Sequence, residues 1–399
     1  MKFASITQRL SGLGGAKWAV HIRARALSAA GGDIIQLTIG EPDVPPRDTL
    51  LNDAAAAMRA GRMGYSNGMG EPGLRAALAQ RYSLSVGRQI TSDQVMCLPG
   101  TQTSLFTTLM GLVEMGDEVL VGDPMYATYE GCIRASGAAM IPVPLDPENG
   151  FRIRAADIAA RITPRSRAIL LNTPHNPTGA VLTRQDVAEI GALAREHDLW
   201  IISDEVYEEL IFDSVPFASP LAEADLADRT VVVSSISKSH AAPGFRSGWA
   251  IGSTEFTTTL LTLSETMLFG SQPFLADATA AAVAAPSPVA PGMRQRFASR
   301  AAYLADRLEK ESALAVSRPQ AGMFALIDIS STGMDAETYA FDLLENAGVA
   351  VMPGTSFGET MGLWVRVALT APDAALEAAC TRIIAHAEAC QAARRTANS

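Results

Sequence analysis

The sequence predicts an α/β fold: a mostly parallel sheet sandwiched by helices, with a smaller α+β domain beside it. Three observations carry this. Seven short apolar runs succeed one another between residues 94 and 252, namely QVMCL, EVLVG, AAMIPV, RAILL, LWIIS, TVVVS and GWAIG. Amphipathic stretches of helical period, such as TSLFTTLMGLVEM and RQDVAEIGALAREH, separate several of them. Runs that are apolar throughout belong to strands covered on both faces, and strand–helix alternation gives parallel pairing. After about residue 284 the texture changes to a breaker-rich loop, APSPVAPG, and a long helical stretch, MRQRFASRAAYLADRLEKES. Two strand candidates come next, FALIDIS and LWVRVAL, then a last helix from residue 371 to about 392. The expected division is a large domain over residues 46–285 and a small one built from 1–45 with 286–399. The first of those segments ends in the strand-turn IIQLTIGEPD.

Composition narrows the partners. With 399 residues, 48% hydrophobic and 19% charged, the chain is globular and large enough for two domains. The net charge is −10 and no basic block appears, which argues against nucleic acid and anionic membrane as partners. Cys97, Cys132, Cys380 and Cys390 form no CxxC and no zinc-like pairing with the five histidines, so no metal site is expected and the thiols read as reduced. No run reaches the ~18 apolar residues of a membrane helix, and the expectation is a soluble cytoplasmic protein.

In open α/β sheets ligands bind beyond the carboxyl ends of the strands, so the residues just past each run matter most. After QVMCL come Pro99, Gly100, Thr101, Gln102 and Thr103, a glycine turn opening a helix. Free N–H groups and a positive dipole end suit a phosphate there, and the threonines add hydroxyls; an ordinary helix cap is the plainer reading. After EVLVG comes Tyr126, either a stacking face for a planar ligand or a core tyrosine. After RAILL, the segment NTPHNPTG fixes a turn rigid enough to aim the Asn176 amide, and His175 reads as structural. After LWIIS stand Asp204 and, one turn on, Tyr207; a carboxylate at a buried strand end demands a cation or a cap. After TVVVS come Ser235, Ser237 and Lys238, with Arg246 eight residues beyond.

Lys238 carries the most weight. Only four of the chain's 32 basic residues are lysines, at 2, 17, 238 and 310, so a plain positive charge here is nearly always arginine. A lysine amine can lose its proton and attack a carbonyl, which arginine cannot. One ligand accounts for all five strand ends together: pyridoxal phosphate. Its aldehyde needs an amine, its ring nitrogen a carboxylate, its phenolic oxygen donors, its ring a stacking face, and its phosphate a helix N-terminus with arginine. The GxGxxG match at Gly68, Gly70 and Gly73 is set aside, because no strand precedes it and Pro72 interrupts the glycine turn.

On these residues the chain resembles the class I/II pyridoxal-phosphate aminotransferases of fold type I. The likeness runs from GEPD at 40–43 through YSNGMGEPGLR, HNPTG, SDEVY and SKSHAAPGFR to WVRVAL. It implies a seven-stranded sheet domain and a small domain from both termini. It implies Lys238 as the lysine that attaches to the cofactor and later shuttles a proton, with Asp204 and Tyr126 completing the catalytic set. Asn176 and Tyr207 would hold the phenolic oxygen, and Gly100, Thr101, Gln102, Ser235, Ser237 and Arg246 the phosphate. Tyr65 would reach the phosphate of a neighbouring subunit, which implies a homodimer with shared sites. Arg366, Gly40 and Asn176 would bind the substrate carboxylate, and cis peptides would fall before Pro124 and Pro177. The stretches GDPMYATYE, TPHNPTGA, ENGFR, EHDLWIISDEVYEELIFD and SKSHAAPGFR are most similar to bacterial arginine–pyruvate transaminases. That implies arginine as donor and pyruvate as acceptor, with amino-acid and 2-oxo-acid substrates in any case. Transfer from aromatic, neutral or dicarboxylic amino acids, or a β-C–S lyase reaction, would use much the same motifs. The segment LSETMLFGSQPF lacks the arginine with which one branch reads a distal carboxylate. Glu41, Asp43 and Glu265 are the acidic residues expected near the pocket, each with a structural or surface reading beside it.

Overall fold

All seven apolar runs become strands of one sheet. The computed structural model describes residues 1–13, 15–212 and 215–397. Its strands in chain order are β1 (Ile35–Gln36), β2 (Val95–Leu98), β3 (Glu118–Asp123), β4 (Ala139–Pro144), β5 (Ser166–Asn172), β6 (Trp200–Asp204), β7 (Thr230–Ser235) and β8 (Gly248–Ile251). Then come β9 (Ala315–Ser317), β10 (Phe324–Asp328), β11 (Val349–Ala350), β12 (Met352–Pro353) and β13 (Trp364–Ala368). The large sheet has the order β2-β8-β7-β6-β5-β3-β4. Every pair from β7 through β4 is parallel, whereas β8 runs against both β7 and β2. The link from β7 to β8 holds only the short helix Ile236–Ser239 and a 3-10 turn, so the chain doubles back instead of crossing over.

Both faces of the sheet are covered, as continuous apolar runs require. Val231 and Val233 pack on one side with Leu105 and Leu109 of the helix Thr101–Leu112. Val232 packs on the other side with Leu74, Leu78 and Tyr82 of the helix Pro72–Val86, and Ile201 with Val187 and Ile190 of Arg184–Glu196. The alternation obeys the two-residue period of a strand. Thr183 and Asp186 close a reciprocal capping box on the last of these helices.

A four-stranded antiparallel sheet, β12-β13-β10-β9, and the parallel pair β1–β11 lie elsewhere in the chain. Val365 and Val367 of β13 share a core with Phe297, Leu304 and Leu308 of the helix Ala290–Glu311 and Ile383 of Asp373–Ala397. The long helix begins inside the stretch read as loop: Pro291 stands in its first turn, where a missing N–H costs nothing. The strand-turn near residue 40 shrinks to β1, which pairs with β11 while Ala368 N–H donates to the Leu37 carbonyl at 2.8 Å. The glycine segment at 68–73 packs as backbone: Cys97 N–H donates to Met69 O at 2.9 Å, and Pro72 opens a helix. Among the described residues no helix is long and apolar enough to cross a membrane.

Candidate active site

Beyond the carboxyl ends of β2, β3, β5, β6 and β7 opens a cavity of about 270 Å³. Its wall includes Gly40, Thr101, Gln102, Tyr126, Asn176, Asp204, Tyr207, Ser235, Ser237, Lys238, Arg246 and Arg366, so residues from all parts of the sequence converge on one place. Gly100 lies directly behind: a Cβ on it would meet Arg246 Nη2 at 2.2 Å. Tyr65 is the exception. It stands 91% exposed with its ring edge-on to Phe269 and takes no part in this wall.

Lys238 sits in the short helix after β7 and donates from Nζ to the Gly40 carbonyl at 2.7 Å. Burial pushes its pKa down to about 8, helped by Arg366 and Arg246 and opposed by Glu41. Asp204 ends β6 and is 5% exposed. Its Oδ2 accepts from Tyr129 Oη at 2.8 Å and its Oδ1 from Val206 N–H at 3.2 Å. Burial pushes its pKa up to about 6, with those two donors acting against the rise. The chain after Asp204 is a turn and a 3-10 helix, Glu208–Leu210, rather than an α-helix, yet it still brings Tyr207 into the cavity.

Arg366 stands on a central strand of the small sheet and is buried. β13 lies between β12 and β10, and the side chain is 2% exposed. Its Cζ lies 3.9 Å from the Phe324 ring centre and 4.3 Å from that of Phe357. Nη1 donates to Asn176 Oδ1 at 3.1 Å and Nη2 to Thr38 O at 2.6 Å, while Nε has no partner among the described residues. Burial lowers its pKa to about 9. Asn176 is itself fixed by Asn172, whose Oδ1 accepts the Asn176 N–H at 2.8 Å and whose Nδ2 donates to Asp204 O at 3.0 Å. Cis peptides precede Pro124 and Pro177, and a third precedes Pro174.

The helix start after β2 is an anion-receptive end. Gly100 is at φ 84°, where a side chain is strained, and the buried Thr101 hydroxyl has no partner among the described residues. Thr103 does not contribute, because its hydroxyl bonds Pro99 O at 3.0 Å. Gln102 spans to Cys132 and Thr128. Ser235 caps the short helix by accepting Ser237 N–H at 3.2 Å. Arg246 bonds the Pro243 and Pro99 carbonyls, which holds its guanidinium against Gly100.

Three acidic residues do not enter the wall. Asp43 is taken by Arg296 and Arg300, Glu265 packs against Gly68, and Glu41 is exposed outside it. Asp342, His386 and Cys390 come close together, but the Cys390 Sγ lies 3.8 and 4.0 Å from the two ring nitrogens, hence beside the ring and off both lone pairs. Burial lowers the His175 pKa to about 4, which keeps it neutral. Tyr129, Asn172, Trp18, Phe324 and Phe357 were not singled out from the sequence. Tyr129, three residues after Tyr126, and Asn172, first past the run RAILL, carried a positional signal.

The donor set fits pyridoxal phosphate on this chain's own terms. A depressed amine, a buried carboxylate that no basic residue bridges, an orphaned hydroxyl at a helix start and an unpartnered guanidinium nitrogen, each so among the described residues, all belong to residues that line one cavity. Such a pocket defines an enzyme that handles a carbonyl cofactor carrying a phosphate. Residues 32–383 match the family described as aminotransferase class I and II. The chain is 40% identical over 383 residues to an arginine–pyruvate transaminase of Pseudomonas aeruginosa, covering 96% of this chain and 97% of that one. It is 32% identical over 377 residues to an aspartate/prephenate aminotransferase of Cereibacter sphaeroides, covering 92% and 94%. A single mutant of Thermus thermophilus aspartate aminotransferase superposes with a TM-score of 0.90 at 29% identity, over 97% of this chain and 100% of that one. The chain belongs to the class I and II aminotransferases, and is a pyridoxal-phosphate-dependent transaminase of fold type I.

Proposed function

We propose that this transaminase takes its amino group from L-arginine and passes it to pyruvate, as a cytoplasmic homodimer. The observation that carries the donor is the 40% identity to an arginine–pyruvate transaminase over nearly the full length of both chains. The pocket's charges agree with it. Among the described residues of one chain, the only basic side chains on the wall are Lys238, Arg246 and Arg366. Arg246 is held at the helix start and Arg366 is sequestered between two rings, so neither is left for a distal carboxylate. Trp18 and Ile39 complete the wall with an aromatic and an aliphatic surface. These suit a methylene chain ending in a guanidinium, which stacks on aromatic faces.

Lys238 would bear the cofactor and, once displaced by the donor, carry the α-proton; its lowered pKa supports that role. Asp204 would hold the ring nitrogen protonated, Asn176 and Tyr207 the phenolic oxygen, and Tyr126 the ring face. Gly100, Thr101, Gln102, Ser235, Ser237 and Arg246 would take the phosphate, joined by the partner chain's Tyr65. Arg366, with Gly40 and Asn176 beside it, would clamp the α-carboxylate, its free Nε supporting that reading. The bound cofactor supplies the electron sink that makes the α-proton acidic. The same reading divides the chain into residues 46–285 and a unit of 1–45 with 286–399.

The test is a visible-absorbance titration of the holoenzyme with single amino acids and no acceptor. Arginine should convert the lysine-linked band to that of the aminated cofactor; conversion by aspartate or phenylalanine but not arginine would overturn the donor. Pyruvate and ammonia released from cystathionine would identify a lyase instead. Trp18→Ala should raise KM for arginine more than for alanine.

A further inference from the structure

Tyr129 lines the pocket, and no motif assigned it a role. It opens the helix Tyr129–Ser136 and is 1% exposed. Its hydroxyl donates to Asp204 Oδ2 at 2.8 Å, and its ring meets that of Tyr126 edge to face, with centres 5.6 Å apart at 83°. Asp204 thus has both oxygens engaged, Oδ2 by this phenol and Oδ1 by the Val206 N–H. The phenol is the only side chain among the described residues that hydrogen-bonds this carboxylate.

We infer that Tyr129 is a positioning residue that fixes the orientation of Asp204 and favours its ionised form, so that the carboxylate meets the cofactor ring as an anion. The inference rests on the cofactor reading given above. A buried carboxylate loses the solvation that favours its charge, and hydrogen bonds donated to the charged form are what restore it. One such bond, from a neutral donor that burial keeps protonated, is what Tyr129 supplies. The neighbours do not duplicate it. Tyr126 and Cys132, on the segment after β3, and Tyr207, after β6, are held protonated by burial. Glu205 takes its hydrogen bonds from Ser203 and Ser219. Lys238 is bonded to Gly40, and Arg366 to Asn176 and Thr38.

The test compares wild type with Tyr129→Phe, which keeps the ring and removes the donor. The readout is the Kd of pyridoxamine 5′-phosphate by equilibrium dialysis from pH 5 to 8.5, a probe that forms no bond to Lys238. In the wild type, binding should weaken on the acid side as Asp204 takes up a proton. In Tyr129→Phe that limb should move to higher pH by about one unit, the size of one lost hydrogen bond to a charged group, with affinity at pH 8.5 little changed. Asp204→Asn should abolish the limb, and adding Tyr129→Phe to it should then leave the pH dependence unaltered. Equal weakening at every pH, or no change at all, would overturn the inference. A wild type that bound no probe at any pH would remove the cofactor reading and this inference with it.

Discussion

The amine of Lys238 donates a 2.7 Å hydrogen bond to the carbonyl of Gly40, a residue 198 positions earlier in the chain. The strand ends of the large sheet and the N-terminal segment therefore meet at this amine. Burial, with Arg366 and Arg246 acting in the same sense, brings this amine down to about 8 from the ordinary 10.5. A depressed base is neutral above its own pKa, so the sign is definite: attachment of pyridoxal phosphate to apoenzyme should speed up as pH rises through about 8 and then level off. A midpoint near that of a free lysine would show the amine to be solvated. Glu41 opposes the shift, so Glu41→Gln should move the midpoint lower. Lys238→Ala should still bind the cofactor but lose transamination, and substantial residual turnover would remove Lys238 from its proposed role.

Arg366 tests the carboxylate clamp. Its guanidinium lies over the rings of Phe324 and Phe357 with two nitrogens already bonded, which leaves the fork oriented before substrate arrives. A lysine has neither the plane nor the rigid fork that matches a carboxylate. Arg366→Lys should raise KM for every amino donor by roughly one to two orders of magnitude, from the ~1.5–3 kcal/mol of a charged hydrogen bond. Cofactor affinity, measured separately by absorbance, should hardly move.

Gly100 tests the phosphate end. Its φ is 84°, and a methyl group placed there would stand 2.2 Å from Arg246 Nη2, so a side chain has no room. Gly100→Ala should displace the guanidinium from the helix start and weaken cofactor binding by about tenfold or more, the loss of ~1.5 kcal/mol or above from one charged contact. Equilibrium dialysis against pyridoxal phosphate at fixed pH measures it. Unaltered affinity would show that Arg246 has another path to the phosphate.

Much of this arrangement was legible because its signals are local. An apolar run announces a buried strand, and the residues just past a strand's carboxyl end in a parallel sheet face the ligand, so Asp204, Asn176 and Lys238 could be placed without coordinates. The pieces that escaped are those whose meaning lies across the fold. β11 and β12 are two residues each, too short for any period. Phe324 reads as a strand residue, and only the pairing of Leu326 with Arg366 brings that strand beside the guanidinium. Tyr129 looks like a helix-opening core aromatic until β6 delivers Asp204 to its hydroxyl. Thr103 shows the opposite failure: a hydroxyl in the right segment that its own backbone consumes.

Asp43 shows how an acidic residue expected near the pocket can have a structural task. Its carboxylate accepts Arg296 Nε and Nη2 at 2.8 Å each and Arg300 Nη1 at 2.9 Å, and Arg300 also bonds Leu369 O at 3.0 Å. Burial works against the Asp43 charge, but the two arginines outweigh it and hold the pKa below the ordinary 3.8. For a carboxylate depressed in the folded state, the stabilisation is fully present above the unfolded pKa and is lost as pH falls through the folded one. Asp43→Asn should therefore lower stability at pH 7 by ~1–3 kcal/mol, less than a fully buried pair because Arg296 is partly exposed. The gap between variant and wild type in denaturant melts should narrow as pH drops below about 4, where the wild-type carboxylate also becomes neutral. The ratio of kcat/KM for arginine to that for alanine should stay where it was. A collapse of that ratio with stability intact would place Asp43 among the residues that read the guanidinium of the donor.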